Sequence, residues 1–150
     1  MRLWKRKTVR IPTDREILTA IYKHYNDDYV RGVEKGDGPL NYVSIDIPMV
    51  AKTLGVEPNS VFGRLYYHLE PRYGYERTVD DRVVSVQFFG IEIGGKRHCV
   101  HFPLMMSVLA GLQKEHRESR TAFWTSILAL VSSAIGVAIS LVALLMPGPA

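Results

Sequence analysis

The sequence predicts a small α+β domain followed by one C-terminal transmembrane helix. Three observations carry that expectation. The last thirty residues, Thr121 to Ala150, hold no charged side chain. The first half of the remaining chain shows helical spacing punctuated by capping and breaking residues. The second half alternates apolar and polar residues around turn signals.

The charge-free stretch contains the run Ala122 to Met146. As a helix it reaches about 37 Å at 1.5 Å per residue, against a bilayer core of about 30 Å. An unbroken helix also satisfies every backbone polar group inside lipid. Lys114, His116, Arg117 and Arg120 precede the run, and only Pro147 to Ala150 follow it, without charge. Basic residues mark the cytoplasmic side. The expected topology is therefore single-pass and tail-anchored, with the N-terminal domain in the cytoplasm and membrane lipid as a partner. The opening segment MRLWKRKTVR lacks the apolar core of a signal peptide. The lone Cys99 excludes an internal disulfide framework and agrees with a reducing compartment. Ser132, Gly136 and Ser140 recur every four residues, so they share one helix face. In lipid, small residues allow close backbone approach, which points to self-association of the span and a homodimer. Small residues are also simply common in spans.

Charge is unevenly distributed. The net charge is +4, yet Arg2, Lys5, Arg6, Lys7 and Arg10 place five positive charges in the first ten residues. The rest of the chain has 14 basic and 15 acidic residues. A near-neutral body argues against a broad nucleic-acid footprint. The arm itself suits DNA phosphate, an anionic lipid surface with Leu3 and Trp4 at the interface, or a solvated tail. The expected organisation is an arm over 1–12, a domain over 13–120, a span over 121–146 and a tail over 147–150.

Thr13 and Glu16 form a capping box ahead of Ile17, Leu18, Ile21 and Tyr25, which predicts a first helix from Asp14 to about Tyr29. Gly32 to Pro39 is rich in breakers and reads as a loop. Tyr42 to Ile47 alternates and is β-branched, so it reads as a short strand. Pro48 opens a second helix capped by Asp46 and ended by Gly55. Pro58 opens a third helix that runs to about Glu70 and stops before Pro71. Strands over Tyr73–Val79 and Arg82–Phe89 flank an Asp80-Asp81 turn. A second hairpin follows, with Phe89, Ile91 and Ile93 on one arm and Val100 and Phe102 on the other. A four-residue loop, Gly94 to Arg97, pairs Ile93 with His98 and keeps the apolar residues on one face. A two-residue Gly-Gly turn puts Lys96 opposite Ile93, a poorer match. Leu104, Met105, Val108, Leu109 and Leu112 then give a fourth helix that continues into the span.

The segment Val50 to Leu65 carries Ala51, then Leu54-Gly55-Val56, then Ser60-Val61 and Leu65. This pattern resembles a helix-turn-helix, in which Ala51 permits close helix approach and Gly55 turns the chain. Val56, Val61 and Leu65 fill the space between the helices. With the strand before it and the hairpin after it, the stretch from 13 to 112 resembles a winged helix-turn-helix domain, as in membrane-tethered transcription regulators. The resemblance implies a third helix that enters the DNA major groove and a hairpin tip that touches backbone or minor groove. The implied DNA-binding residues are Asn59, Gly63, Arg64, Tyr67 and His68, with wing contacts from Lys96 and Arg97. Glu57 departs from the pattern, because its carboxylate faces phosphate.

The outward face of the third helix also supports a different reading. If Val61, Leu65 and Leu69 point inward, then Asn59, Phe62, Gly63, Tyr66, Tyr67 and Glu70 point outward. That face is aromatic and nearly uncharged. It suits a protein partner through Phe62, Tyr66 and Tyr67, or cover by the chain's own sheet. No enzyme signature stands out. His98, Cys99 and His101 do not supply the three or four ligands zinc requires, because Cys99 and His101 share a strand face and His98 points away. No phosphate loop is present, so no metal site and no cofactor are expected. The leading expectation is a membrane-anchored, DNA-binding transcription regulator. Its rival is a membrane-anchored protein-interaction or oligomerisation module.

Overall fold

The computed structural model describes residues 10–35 and 41–145, with backbone alone over 137–145. The basic arm up to residue 9, residues 36–40 of the first loop, Met146, the 147–150 tail and the Ser140 side chain lie outside the described residues. The chain divides into two compact units, Met1–Ala110 and Gly111–Ala150. That boundary falls ten residues before the one the charge pattern suggests.

The first unit is α+β. Helix α1 spans Asp14–Lys35, longer than expected. The capping box opens it: Glu16 N–H donates to Thr13 Oγ1 (3.3 Å) and Thr13 N–H to Glu16 Oε2 (2.9 Å). Donation from the Thr13 N–H and hydroxyl holds the Glu16 carboxyl below its ordinary pKa. Gly32 does not stop the helix, because one glycine costs only about 1 kcal/mol in a helix interior. Ile17, Leu18, Ile21 and Tyr25 are buried along one face. The Tyr25 hydroxyl accepts a hydrogen bond from Asp46 N–H (2.7 Å), joining α1 to the start of α2.

Strand β1 (Tyr42–Ser44) is short, and helix α2 (Ile47–Leu54) follows at once. Asp46 caps α2 by accepting from Met49 N–H (3.1 Å), and Gly55 ends it at φ 66°. That left-handed backbone costs glycine nothing. Helix α3 (Pro58–Gly63) continues without a break into a π-helical segment, Arg64–Leu69, and then α4 (Glu70–Tyr73). The third helix thus passes Pro71 and ends at Gly74. The reason lies in the widened turn. Glu70 N–H bonds to the Leu65 carbonyl, five residues back. This wider ladder stops where Pro71 has no N–H to give, so the proline enters without breaking an α-helical bond. Val61, Leu65 and Leu69 are completely buried, as their spacing implies.

Two hairpins follow. Among the described residues, strands β2 (Tyr75–Val79) and β3 (Arg82–Val86) pair only with each other, around Asp80 and Asp81 at φ 50° and 59°. Strands β4 (Phe89–Ile93) and β5 (Lys96–His101) join β1 in a sheet of order β1-β5-β4. The expected four-residue loop is corrected here. Ile93 pairs with Lys96, and Phe89 with Val100, across a two-residue Gly94-Gly95 turn. Both glycines have positive φ, 58° and 76°. Turn chemistry outweighs face matching because a turn of this hand follows the natural twist of the strands. Face matching also mattered less than expected, since adjacent residues Phe88 and Phe89, and Cys99 and Val100, are all buried. Burial raises the Cys99 thiol pKa.

Helix α5 spans Phe102–Leu145. In the first unit, Phe102, Met105 and Leu109 are buried, and Phe102 stacks on Tyr29 at 4.7 Å between centroids. In the second unit the described part of α5 is mostly exposed, with an i,i+4 pair of Lys114 and Glu118. Among the described residues, no helix is long and apolar enough to cross a membrane. This corrects the expected transmembrane helix and the single-pass, tail-anchored placement. Of the expected span, side chains are described only over 121–136, and there Thr121, Thr125, Ser126, Ser132 and Ser133 lower the apolar content. Ser132 Oγ donates to the Ala129 carbonyl of its own helix (2.9 Å). The self-association argument for Ser132, Gly136 and Ser140 rested on lipid and loses its basis.

His101 caps α5. Its Nδ1 accepts from Leu104 N–H (3.2 Å), and its ring meets Tyr42 edge-on. Burial pushes its pKa below the ordinary 6.5. Folding therefore favours the neutral ring. The stabilisation is present above pH 6.5 and fades as pH falls through that value and below. Urea unfolding at pH 7.5 and 5.5 should show lower stability at the acid pH. His101→Asn, which keeps a capping oxygen without a titrating ring, should reduce that difference.

Candidate functional site

The candidate site is built on the helical rod 58–73 and the sheet edge beside it. Leu65 and Leu69 anchor the rod in the core, so its remaining faces are fixed. One faces α1. Asp14 Oδ1 accepts from Arg64 Nε (2.9 Å) and Nη2 (2.6 Å), and Asp14 Oδ2 lies 3.2 Å from His68 Nε2. The Asp14 side chain is 13% exposed and that of Arg64 33%. Two of the expected DNA readers are therefore held against a carboxylate of the same domain.

A second face meets β4 and β5. Phe62 stacks on Tyr66 (5.5 Å) and packs edge-on against Phe89 (5.9 Å) and His98 (6.0 Å). Phe62 is thus covered by the chain's own sheet. Glu70 fastens the same junction, because its Oε2 accepts the Phe89 N–H at 2.6 Å. Phe89 lies on the edge strand of the three-stranded sheet, so this carboxylate caps a backbone donor that has no strand beside it.

Between the rod and β4 lies an open cleft of about 490 Å³. Tyr66, Tyr67 and Pro71 form one wall; Phe89, Gly90 and Ile91 form the other; Glu70 and Glu92 also line it. At Gly90 a Cβ would run into the Ile93 and Gln87 side chains. Tyr67 packs against the Tyr66 ring at 5.0 Å yet remains 73% exposed. Ile91 is also exposed.

The seven residues expected to read DNA do not share one arrangement. Arg64 and His68 bind Asp14. Asn59 is exposed on α3 and Gly63 is half-buried. Tyr67 borders the cleft. Lys96 and Arg97 stand exposed beside the Gly94-Gly95 turn. Among the described residues, no hydrogen bond or ring contact links them to Arg64 or His68. Of the aromatic set, Phe62 faces the sheet, Tyr66 is half-buried, and Tyr67 projects. Two site residues escaped sequence reasoning. Asp14 has a sufficient local role in the first turn of a helix, and its partner lies 50 residues away. Ile91 read as a core residue. Glu70 was placed on the outward face of the third helix, without its Phe89 partner. His98, Cys99 and His101 face different partners. The Cys99 thiol donates to the Lys96 carbonyl (3.3 Å), and the described residues contain no group of three metal-ligating side chains.

Comparison with known proteins returns no match among family models, curated proteins or solved structures.

The Glu70 bond gives a direct test of how the site is held. Glu70→Ala leaves the Phe89 N–H without its acceptor and should cost about 1.5–3 kcal/mol in unfolding free energy. Glu70→Gln retains a carbonyl oxygen and should recover part of that loss.

Proposed function

We propose that the chain is a protein-interaction module on a winged-helix-like scaffold, docking a partner segment in the cleft between the rod and β4. The scaffold likeness rests on element order and on the pairing of β1 with the last strand, β5, which leaves Gly94-Gly95 as the exposed turn. In that likeness β2 and β3 are an inserted hairpin. The observation that carries the docking reading is a division of labour along one helical rod. Arg64 and His68 are spent on Asp14, while Tyr67 stands exposed over an aromatic cleft.

The chemistry of the cleft suggests its ligand. Tyr66, Tyr67, Phe89 and Ile91 favour an apolar or aromatic anchor, and aromatic residues are typical anchors of interfaces. Glu92 and the free oxygen of Glu70 favour Lys or Arg beside that anchor. A π-helical segment at the site fits the frequent placement of such turns at functional positions.

A displayed peptide library selected against the full chain tests this directly. Bound peptides should share an apolar anchor flanked by Lys or Arg. Tyr67→Ala, at a largely exposed position, should weaken binding at least about tenfold, a loss of ~1.4 kcal/mol, with the melting temperature unchanged. Failure to select such peptides, together with duplex DNA binding that falls steeply with salt, would replace this reading with the DNA-binding one.

A further inference from the structure

The β2–β3 hairpin forms its own two-stranded sheet and pairs with neither β4 nor β1. Two-stranded ribbons gain little stability alone. Four of the five β3 residues are exposed, with Val83 at 68% and Val84 at 44%. Over Val83–Val86 the strand has no proline, lysine or bulge, the devices that usually protect a free edge.

The turn dictates which groups point outward. Asp80 and Asp81 both have positive φ in a two-residue turn closed by Val79 and Arg82. Such a turn makes Val79/Arg82, Arg77/Val84 and Tyr75/Val86 the hydrogen-bonded pairs. The N–H and C=O of Val83 and Ser85 therefore point away from β2. Among the described residues they have no hydrogen-bond partner outside the hairpin.

We infer that a second copy of this chain pairs along β3, antiparallel and two-fold symmetric about Val84, to make a four-stranded sheet. In this register Val83 and Ser85 of each copy exchange hydrogen bonds with Ser85 and Val83 of the other. Val84 faces Val84 at the axis, and Arg82 faces Val86, so no like charges meet. The equivalent register along the other free edge, β2, is less favourable, because it uses Glu76 and Thr78 as the outward residues and sets Arg77 against Arg77, a repulsive pair. In this register charge favours β3 over β2. The surface is distinct from the aromatic cleft, so either proposal stands without the other.

The full chain should sediment as a dimer. Val84→Lys, which places two ammonium groups at the axis, should abolish it. Val83→Pro removes only an outward N–H and should act likewise while circular dichroism stays unchanged. Val84→Cys should form an intermolecular disulfide, since facing residues of a non-hydrogen-bonded pair lie about 4.5 Å apart. Arg77→Cys should not, because three strand spacings separate the two copies, about 14 Å. A monomeric full chain, a dimer that survives both β3 substitutions, or Val84→Cys crosslinking no faster than Arg77→Cys would each overturn the inference.

Discussion

Asp14 is the residue on which the site depends. It stands in the first turn of α1, where a carboxylate already complements the helix dipole. The same side chain takes the Arg64 guanidinium and faces the His68 ring. A charge-assisted contact between largely shielded groups outweighs an exposed surface pair, which contributes close to nothing. The Asp14 contact therefore reinforces the orientation that buried Leu65 and Leu69 give the rod. It also removes positive charge from the surface that a nucleic-acid reader would need.

Pro71 is the second constraint. An α-helix that meets a proline normally stops or kinks. Here the turn widens over Arg64–Leu69, the helix continues to Tyr73, and Glu70 arrives beneath β4 to cap the Phe89 N–H. The wide turn keeps Leu65 and Leu69 in the core while Tyr67 faces outward. The cleft is thus a product of the rod's length past Pro71 and of the edge strand it reaches. Neither element alone encloses it.

Much of the local structure was legible in the sequence. The Thr13–Glu16 box, the Asp46 cap, Gly55 and the Asp80-Asp81 turn act within a few residues, where capping and turn chemistry decide. The buried faces of α1 and the rod followed from their spacing. What escaped was non-local or a competition between local rules. Pro71 was read as a stop because a widened turn leaves no mark in composition. The Gly94-Gly95 turn overruled the face matching of Ile91 and Ile93, since the left-handed preference of two glycines is stronger than one extra buried isoleucine. The run from Thr121 was read as a span on its missing charge and its length, yet its Ser and Thr residues count against an apolar helix. In the site, Arg64 was read as a DNA-binding residue, and its carboxylate partner lies on another element. Tyr67 was legible as outward, whereas the cleft beside it required the position of β4.

The most direct measurement is a double-mutant cycle between Asp14 and Arg64, using Asp14→Asn, Arg64→Gln and the double variant in urea unfolding. If Arg64 is a structural cation, the cycle returns a coupling of about 1–2 kcal/mol, and each single variant is destabilised. Additivity within about 0.3–0.5 kcal/mol, with Arg64→Gln as stable as the parent chain, would contradict the account and return Arg64 to the surface as a free ligand-binding cation.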